Sequence, residues 1–138
     1  MKGLILMEEL LTRYPSLCEC RESIEKALDI IIDTYENGGK ILVCGNGGSA
    51  ADSEHIVGEL MKGFLKRREV TDERIPEELR KNLQGALPAI SLTGKKESKL
   101  SEMSDVTIRV PETETYKVQE LHLPVYHYLC AAAEEKFF

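Results

Sequence analysis

The spacing of apolar residues along the chain predicts helices first, and then alternating strands and helices. Before residue 36, apolar side chains recur at helical spacing: Ile24, Ala27, Leu28, Ile31, Ile32 and Tyr35. Asn37-Gly38-Gly39 follows, and such residues accept the left-handed conformation that ends helices. Lys40 to Cys44 is then a short apolar run typical of a strand, and Ser49 opens a second helical pattern.

The second half of the chain predicts two more strands and a long final helix. Leu87 to Leu92 and Val106 to Val110 are the strand candidates, and Thr115 to Lys136 is the helix, with Pro124 expected to kink it. The alternation of strand and helix favours an α/β layer fold with a parallel sheet. Before the strand at Leu87, we expect a charged linker, Lys66 to Arg74, and a short helix, Pro76 to Gln84.

Length and charge narrow the class of protein. A chain of 138 residues, 42% of them hydrophobic, suits one domain with one core. The net charge of −6 argues against nucleic acid or an anionic membrane as the main partner. No stretch approaches the length of a membrane span, and Glu8 and Glu9 interrupt the apolar start too early for a signal peptide. We therefore expect a cytoplasmic protein.

The four cysteines match neither a zinc-ribbon spacing nor a disulfide framework. We interpret Cys18, Cys20, Cys44 and Cys130 as reduced thiols, with Cys44 buried in the first strand.

The glycine-rich turn after the first predicted strand carries most of the functional signal. Gly45, Gly47 and Gly48 let the backbone turn sharply into the helix that Ser49 opens. The N–H groups and the positive dipole end of such a helix start bind phosphate. Two turns into the helix, His55 and Glu59 are spaced i,i+4 and share one face, where they suit proton transfer or metal binding. The segment therefore indicates a phosphorylated small molecule as ligand.

Two other interpretations of this turn fail. Gly45, Gly47 and Ala50 satisfy a dinucleotide pattern, but that site needs a second strand ending in an acidic residue soon after the helix, and Lys66 to Arg74 is charged instead. A P-loop needs Gly-Lys followed by Ser or Thr, and Gly48 is followed directly by Ser49. We expect no nucleotide cofactor.

Three motifs carry a family resemblance. GNGGSAADSEHIVGEL, LTGKKESKLSEMSDVTIRVP and VQELHLPVYHYLC resemble the sugar isomerase (SIS) domain, specifically its phosphoheptose isomerase branch. With the N-terminal helix region, the resemblance covers nearly the whole chain. It implies an α/β fold in which helices flank a parallel sheet, with long helices at both ends of the chain. It also implies a phosphorylated sugar as substrate, a homo-oligomer, by resemblance a tetramer, and a pocket that forms between subunits.

The chain departs from the family in its middle. SIS domains have a second phosphate loop, rich in Ser and Thr, and nothing like it stands between Leu87 and Val110. Ile90-Ser91-Leu92 instead runs straight into Thr93-Gly94-Lys95. We infer an internal deletion between Leu87 and Lys95, which leaves one truncated SIS-like domain over residues 1–138 with about three strands. Apolar surface uncovered by the lost helices would need another chain to cover it.

The resemblance implies roles for particular residues. Glu59 is the expected base that moves a proton between two carbons, and His127 the expected acid and base for the two oxygens. Gln119 shares a helix face with His127 and is expected to contact substrate. The expected phosphate contacts are Asn46, Gly47, Gly48 and Ser49. The positions that hold zinc in some members of the branch are matched by His55, Glu59, Gln119 and His127.

Other polar residues near these motifs have structural interpretations. We expect Asp52 to stabilise the start of its helix rather than to touch substrate. His122 lies off the face of Gln119 and His127, and we expect it, with Tyr126 and Tyr128, to serve packing.

Three functional hypotheses remain open. The first is an aldose–ketose isomerase that converts sedoheptulose 7-phosphate to D-glycero-D-manno-heptose 7-phosphate through an enediol. The second is a non-catalytic SIS module that binds a sugar phosphate or a protein partner as a regulator. The third is an inactive truncated remnant. Ligand-induced stabilisation separates the first two from the third, and turnover separates the first from the second.

Overall fold

Helices from the start of the chain pack against its last helix, beside a small sheet. The computed structural model describes residues 2–45, 48–62, 64–65 and 88–138. The predicted linker at 66–74 and the predicted short helix at 76–84 lie outside these residues.

The chain begins with three helical segments that supply one half of the core. α1 spans Lys2–Arg13, a 3-10 helix spans Pro15–Cys20, and α2 spans Arg21–Glu36. Pro15 suits the first turn of its helix, because the N–H that proline lacks would have no partner there. Gly38 follows α2 with φ of 70°, as the glycine pair after Asn37 predicted.

The segment Lys40 to Cys44 differs from its prediction. It has no regular secondary structure and pairs with no strand among the described residues. The thiol of Cys44 is exposed, so its predicted burial is wrong. Both differences have one cause, since an apolar run becomes a strand only where a neighbouring strand can accept its hydrogen bonds.

The sheet in the described part of the chain consists of two parallel strands. β1 spans Ile90–Thr93 and β2 spans Val106–Arg109, with Ile90 opposite Val106. The short helix α4, Lys99–Met103, connects them. A capping box starts α4, because the side chains of Ser98 and Ser101 each accept the other's backbone N–H, at 3.2 and 2.9 Å. Two of the three predicted strands are thus present, and their parallel pairing is confirmed.

Two long helices complete the fold, and the second of them organises the core. α3 spans Gly48–Lys62, and α5 spans Thr115–Phe137 and continues through Pro124. α5 packs against α1, α2 and α3. The core that results is drawn chiefly from α1, α2, β2 and α5: Met7, Leu10, Leu11, Ile24, Ala27, Val106, Ile108, Val125, Tyr128, Leu129 and Ala132. The expected α/β class, helices around a small parallel sheet, is confirmed.

No helix in the described ranges is both long enough and apolar enough to cross a membrane.

Candidate active site where α3 meets α5

His55 and Glu59 form a hydrogen-bonded pair on α3. The Nε2 of His55 donates to Oε1 of Glu59 over 2.7 Å, across one helical turn. The Glu59 side chain is 18% exposed and that of His55 46% exposed. The carboxylate therefore lies at the wall of the site, while the imidazole edge faces outward.

Two aromatic rings from α5 pack against the His55 ring. The His127 ring centroid lies 5.3 Å from that of His55, and the Tyr126 ring lies 5.9 Å from His55. Phe64, just after α3, covers the other side of His127 at 5.2 Å. We call these five residues the histidine cluster: His55, Glu59, Phe64, Tyr126 and His127.

His127 has an unusual environment. Its Nε2 atom is buried and has no hydrogen-bond partner among the described residues. Burial lowers the pKa of His127, the positive potential of His55 lowers it further, and Glu59 opposes both effects. The imidazole is therefore neutral at neutral pH, and its Nε2 remains available to a hydroxyl or carbonyl oxygen of a ligand.

Asp52 links α3 to α5 beside the histidine cluster. Its Oδ1 accepts from the Tyr126 hydroxyl over 3.1 Å, and its Oδ2 accepts from Nε2 of Gln119 over 3.3 Å. Burial, and then the bond to Asp52, raise the pKa of Tyr126. Asp52 therefore joins two helices, a role that the sequence did not predict, and its effect on the start of its own helix stays a prediction.

Gly45 and Gly48, two glycines of the glycine-rich turn, are closely packed beside the start of α3. A Cβ on Gly48 would collide with the amide of Gln119, and a Cβ on Gly45 would lie 2.5 Å from the carbonyl oxygen of Ser49. Larger residues would therefore displace the turn or Gln119. Gly48 and Ser49 lie in the first turn of α3 as predicted, whereas Asn46 and Gly47 lie outside the described residues.

Three of the four implied zinc ligands lie together, and the fourth is bonded elsewhere. His55, Glu59 and His127 share the histidine cluster, but the amide of Gln119 is bonded to Asp52. In the described part of the chain, no three His, Cys, Asp or Glu side chains are arranged to hold a metal ion. Zinc binding by all four residues would require Gln119 to leave Asp52, and zinc stays a prediction.

His122 and Tyr128 have the structural roles that were expected. His122 is buried and its Nε2 donates to the carbonyl oxygen of Thr93 over 3.2 Å. Tyr128 belongs to the core.

Tyr126 was expected only to pack, yet its hydroxyl is part of the Asp52 link and its ring contacts both histidines. Its position seven residues after Gln119 places the two on one helix face, a signal that was available in the sequence.

A comparison with protein families identifies the class. The model of the SIS domain matches residues 8–105, which is more than half of the chain. The chain therefore belongs to the SIS domain family.

Individual relatives place it within that family. The phosphoheptose isomerase of Helicobacter hepaticus is 30% identical, over 83% of this chain and 82% of that protein. The one of Aneurinibacillus thermoaerophilus is also 30% identical, with 83% and 82% covered. A solved phosphoheptose isomerase from Francisella tularensis shares the fold, with a TM-score of 0.67 at 21% identity over 93% of this chain and 97% of that chain. The chain lies in the phosphoheptose isomerase branch.

The length of one alignment is relevant to the predicted deletion in the middle of the chain. The match to the Helicobacter hepaticus protein runs over 161 positions, more than the 138 residues of the whole chain. That relative therefore contains residues that have no counterpart here. The position of the gap, between Leu87 and Lys95, stays a prediction.

Proposed function

We propose that this chain is a sugar-phosphate aldose–ketose isomerase that converts sedoheptulose 7-phosphate to D-glycero-D-manno-heptose 7-phosphate. Membership of the phosphoheptose isomerase branch supports the reaction class and the phosphorylated sugar. The observation that carries the proposal is a single cluster that holds both a carboxylate, that of Glu59, and the Nε2 atom of His127, which has no hydrogen-bond partner among the described residues.

Such a reaction needs two separate proton-transfer groups. Glu59 removes a proton from C1 of the ketose, and the electron pair forms the C1–C2 double bond of the enediol while O2 gains a proton. The O1 hydroxyl then gives up its proton as the C1 carbonyl of the aldose forms, and a proton returns to C2. His127 serves both oxygens through Nε2: the neutral imidazole gives its Nε2 proton to O2 as the enediol forms, and it takes a proton back from O1 as the aldose carbonyl forms.

The start of α3 supplies the proposed phosphate contacts. The free N–H groups and dipole of its first turn, at Gly48 and Ser49, attract an anion. Asn46 and Gly47 are the other proposed members of this contact set. Because the Ser-rich second loop of the family is missing from the sequence, we expect weaker phosphate binding than in full-length relatives.

The first test measures unfolding and turnover in the same samples. We expect sedoheptulose 7-phosphate to raise the unfolding temperature of the purified chain and to be converted to the aldose. Stabilisation without product would favour the non-catalytic sugar-phosphate module. A chain that shows neither response would be a remnant, and the proposal would fail.

Zinc is a separate proposal, and no step above depends on it. We expect the purified protein to bind about one Zn²⁺ through His55, Glu59, Gln119 and His127, measured by metal analysis and by thermal shift on titration with Zn²⁺. A His55→Gln variant that binds the ion as tightly as the parent chain would rule this ligand set out.

A further inference from the structure

A buried carboxylate near the end of α5 holds the chain that follows α3. Glu134 is only 4% exposed. Its Oε2 accepts from the backbone N–H of Phe64 over 2.7 Å, and its Oε1 accepts from that of Leu65 over 2.9 Å. A buried carboxylate is tolerated where such donors face it, and hydrogen bonds to a charged acceptor are stronger than neutral ones. The two oxygens therefore hold two consecutive backbone groups in place.

The residue held in this way covers His127. The Phe64 ring is tilted by 31° against the imidazole, with 5.2 Å between centroids. Glu134 lies seven residues after His127, so the two share one face of α5 about two turns apart. The same helix thus carries the imidazole and the carboxylate that holds the cover of that imidazole.

We propose that Glu134 is a positioning residue for His127, acting through the backbone of Phe64. With Glu134 in place, the Phe64 ring packs on one side of the imidazole, and the His55 and Tyr126 rings pack elsewhere around it. The imidazole is thereby held in one orientation. The consequence for turnover rests on the proposed function, in which His127 transfers protons at the sugar oxygens.

The first variant is Glu134→Gln, which has the same shape but only one carbonyl oxygen. Its NH₂ group would face a backbone N–H, so one of the two hydrogen bonds is lost. The readout is the NMR signal of the His127 ring protons, because a ring stacked on the imidazole shifts them. The chain has three histidines, so His55→Gln and His122→Gln variants assign the signals.

We expect Glu134→Gln to move the His127 signals toward the position found in Phe64→Leu. The matched control is Glu120→Gln, an exposed carboxylate on the same helix, which should leave the signals in place. The double variant Glu134→Gln with Phe64→Leu should show no shift beyond that of Phe64→Leu alone, since both substitutions remove the same contact.

Turnover provides the second readout. Either single variant should lower kcat about tenfold with KM nearly unchanged, and the double variant should be no slower than Phe64→Leu. Unmoved His127 signals in a folded Glu134→Gln chain, or additive shifts in the double variant, would overturn the proposal. A Glu134→Gln chain without cooperative unfolding would also overturn it, because the carboxylate would then maintain the fold and not the imidazole. The NMR result requires no turnover, so it stands even if the isomerase proposal fails.

Discussion

Two histidines on α5, five residues apart, have opposite surroundings. Nε2 of His122 donates to the carbonyl oxygen of Thr93, whereas Nε2 of His127 has no partner among the described residues. Burial lowers the pKa of both. The two histidines therefore differ in their hydrogen-bond partners and not in the direction of their pKa shifts. The partner distinguishes the structural histidine from the one that is available to a ligand.

Among single residues, Glu59 allows the most direct test of the proposed reaction. Glu59→Gln keeps the size of the side chain but removes the base, so turnover of sedoheptulose 7-phosphate should fall by at least 100-fold in a steady-state assay. Glu54→Gln, at an exposed position on the same helix, should keep full turnover. Full activity in Glu59→Gln, with an unchanged unfolding temperature, would show that the base lies elsewhere.

The lowered pKa of His122 predicts that the stability of the fold depends on pH. Burial is the first cause of its lowered pKa, so the unfolded chain binds the proton more readily than the folded chain does. The contribution of His122 to the free energy of unfolding is therefore complete above the ordinary histidine pKa of about 6.5. It is lost as the pH falls through the lower pKa that His122 has in the folded chain. Urea unfolding should give a smaller pH slope below 6.5 for His122→Gln than for the parent chain. Equal slopes would mean that other groups carry the effect.

At the scale of elements, the contact between α3 and α5 depends on a polar link. Tyr126→Phe removes the hydroxyl that donates to Asp52 and should lower the free energy of unfolding by about 1 kcal/mol. Tyr116→Phe, at a site 57% exposed, should change it little. Both values come from urea denaturation.

A double-mutant cycle with Asp52→Asn tests whether the link is direct. If Tyr126→Phe costs as much in the Asp52→Asn background as in the parent chain, the hydroxyl contributes through something other than the carboxylate.

Elements whose pattern is local could be predicted, and those that depend on distant partners could not. Apolar residues at helical spacing predicted α2, α3 and α5 closely, because helical hydrogen bonds form within the segment. Lys40 to Cys44 has the composition of a strand but no ladder partner in the described sheet. A strand requires a neighbour, and the sequence of one segment does not supply it.

The same distinction applies to the site. His55 and Glu59 follow from i,i+4 spacing, and Gln119 and His127 share a helix face. Glu134 contacts backbone about 70 residues earlier, with separations of 70 and 69 residues. No spacing rule predicts such a pair, since it arises from how α3 and α5 pack.

At the scale of the whole molecule, the described surface exposes several large apolar side chains. Leu4 and Ile5 on α1 are 59% and 62% exposed, and Met103 on α4 is 81% exposed. We predict that the chain forms homo-oligomers and that dilution to monomers abolishes turnover, because the family resemblance implies a pocket shared between subunits. Analytical ultracentrifugation over a dilution series, with turnover measured at each concentration, tests both. An active monomer would contradict this prediction.

The order of the core helices along the chain has a consequence for protein synthesis. Val125, Tyr128, Leu129 and Ala132 lie in the core, packed with residues of α1 and α2 that leave the ribosome much earlier. Until α5 emerges, those early helices lack the helix on which they pack, and contacts so far apart in sequence form late. Folding of the nascent chain therefore depends on the synthesis of α5. A stop codon that removed even the last turns of α5 would release a polypeptide with an open core, a substrate for chaperones and proteases.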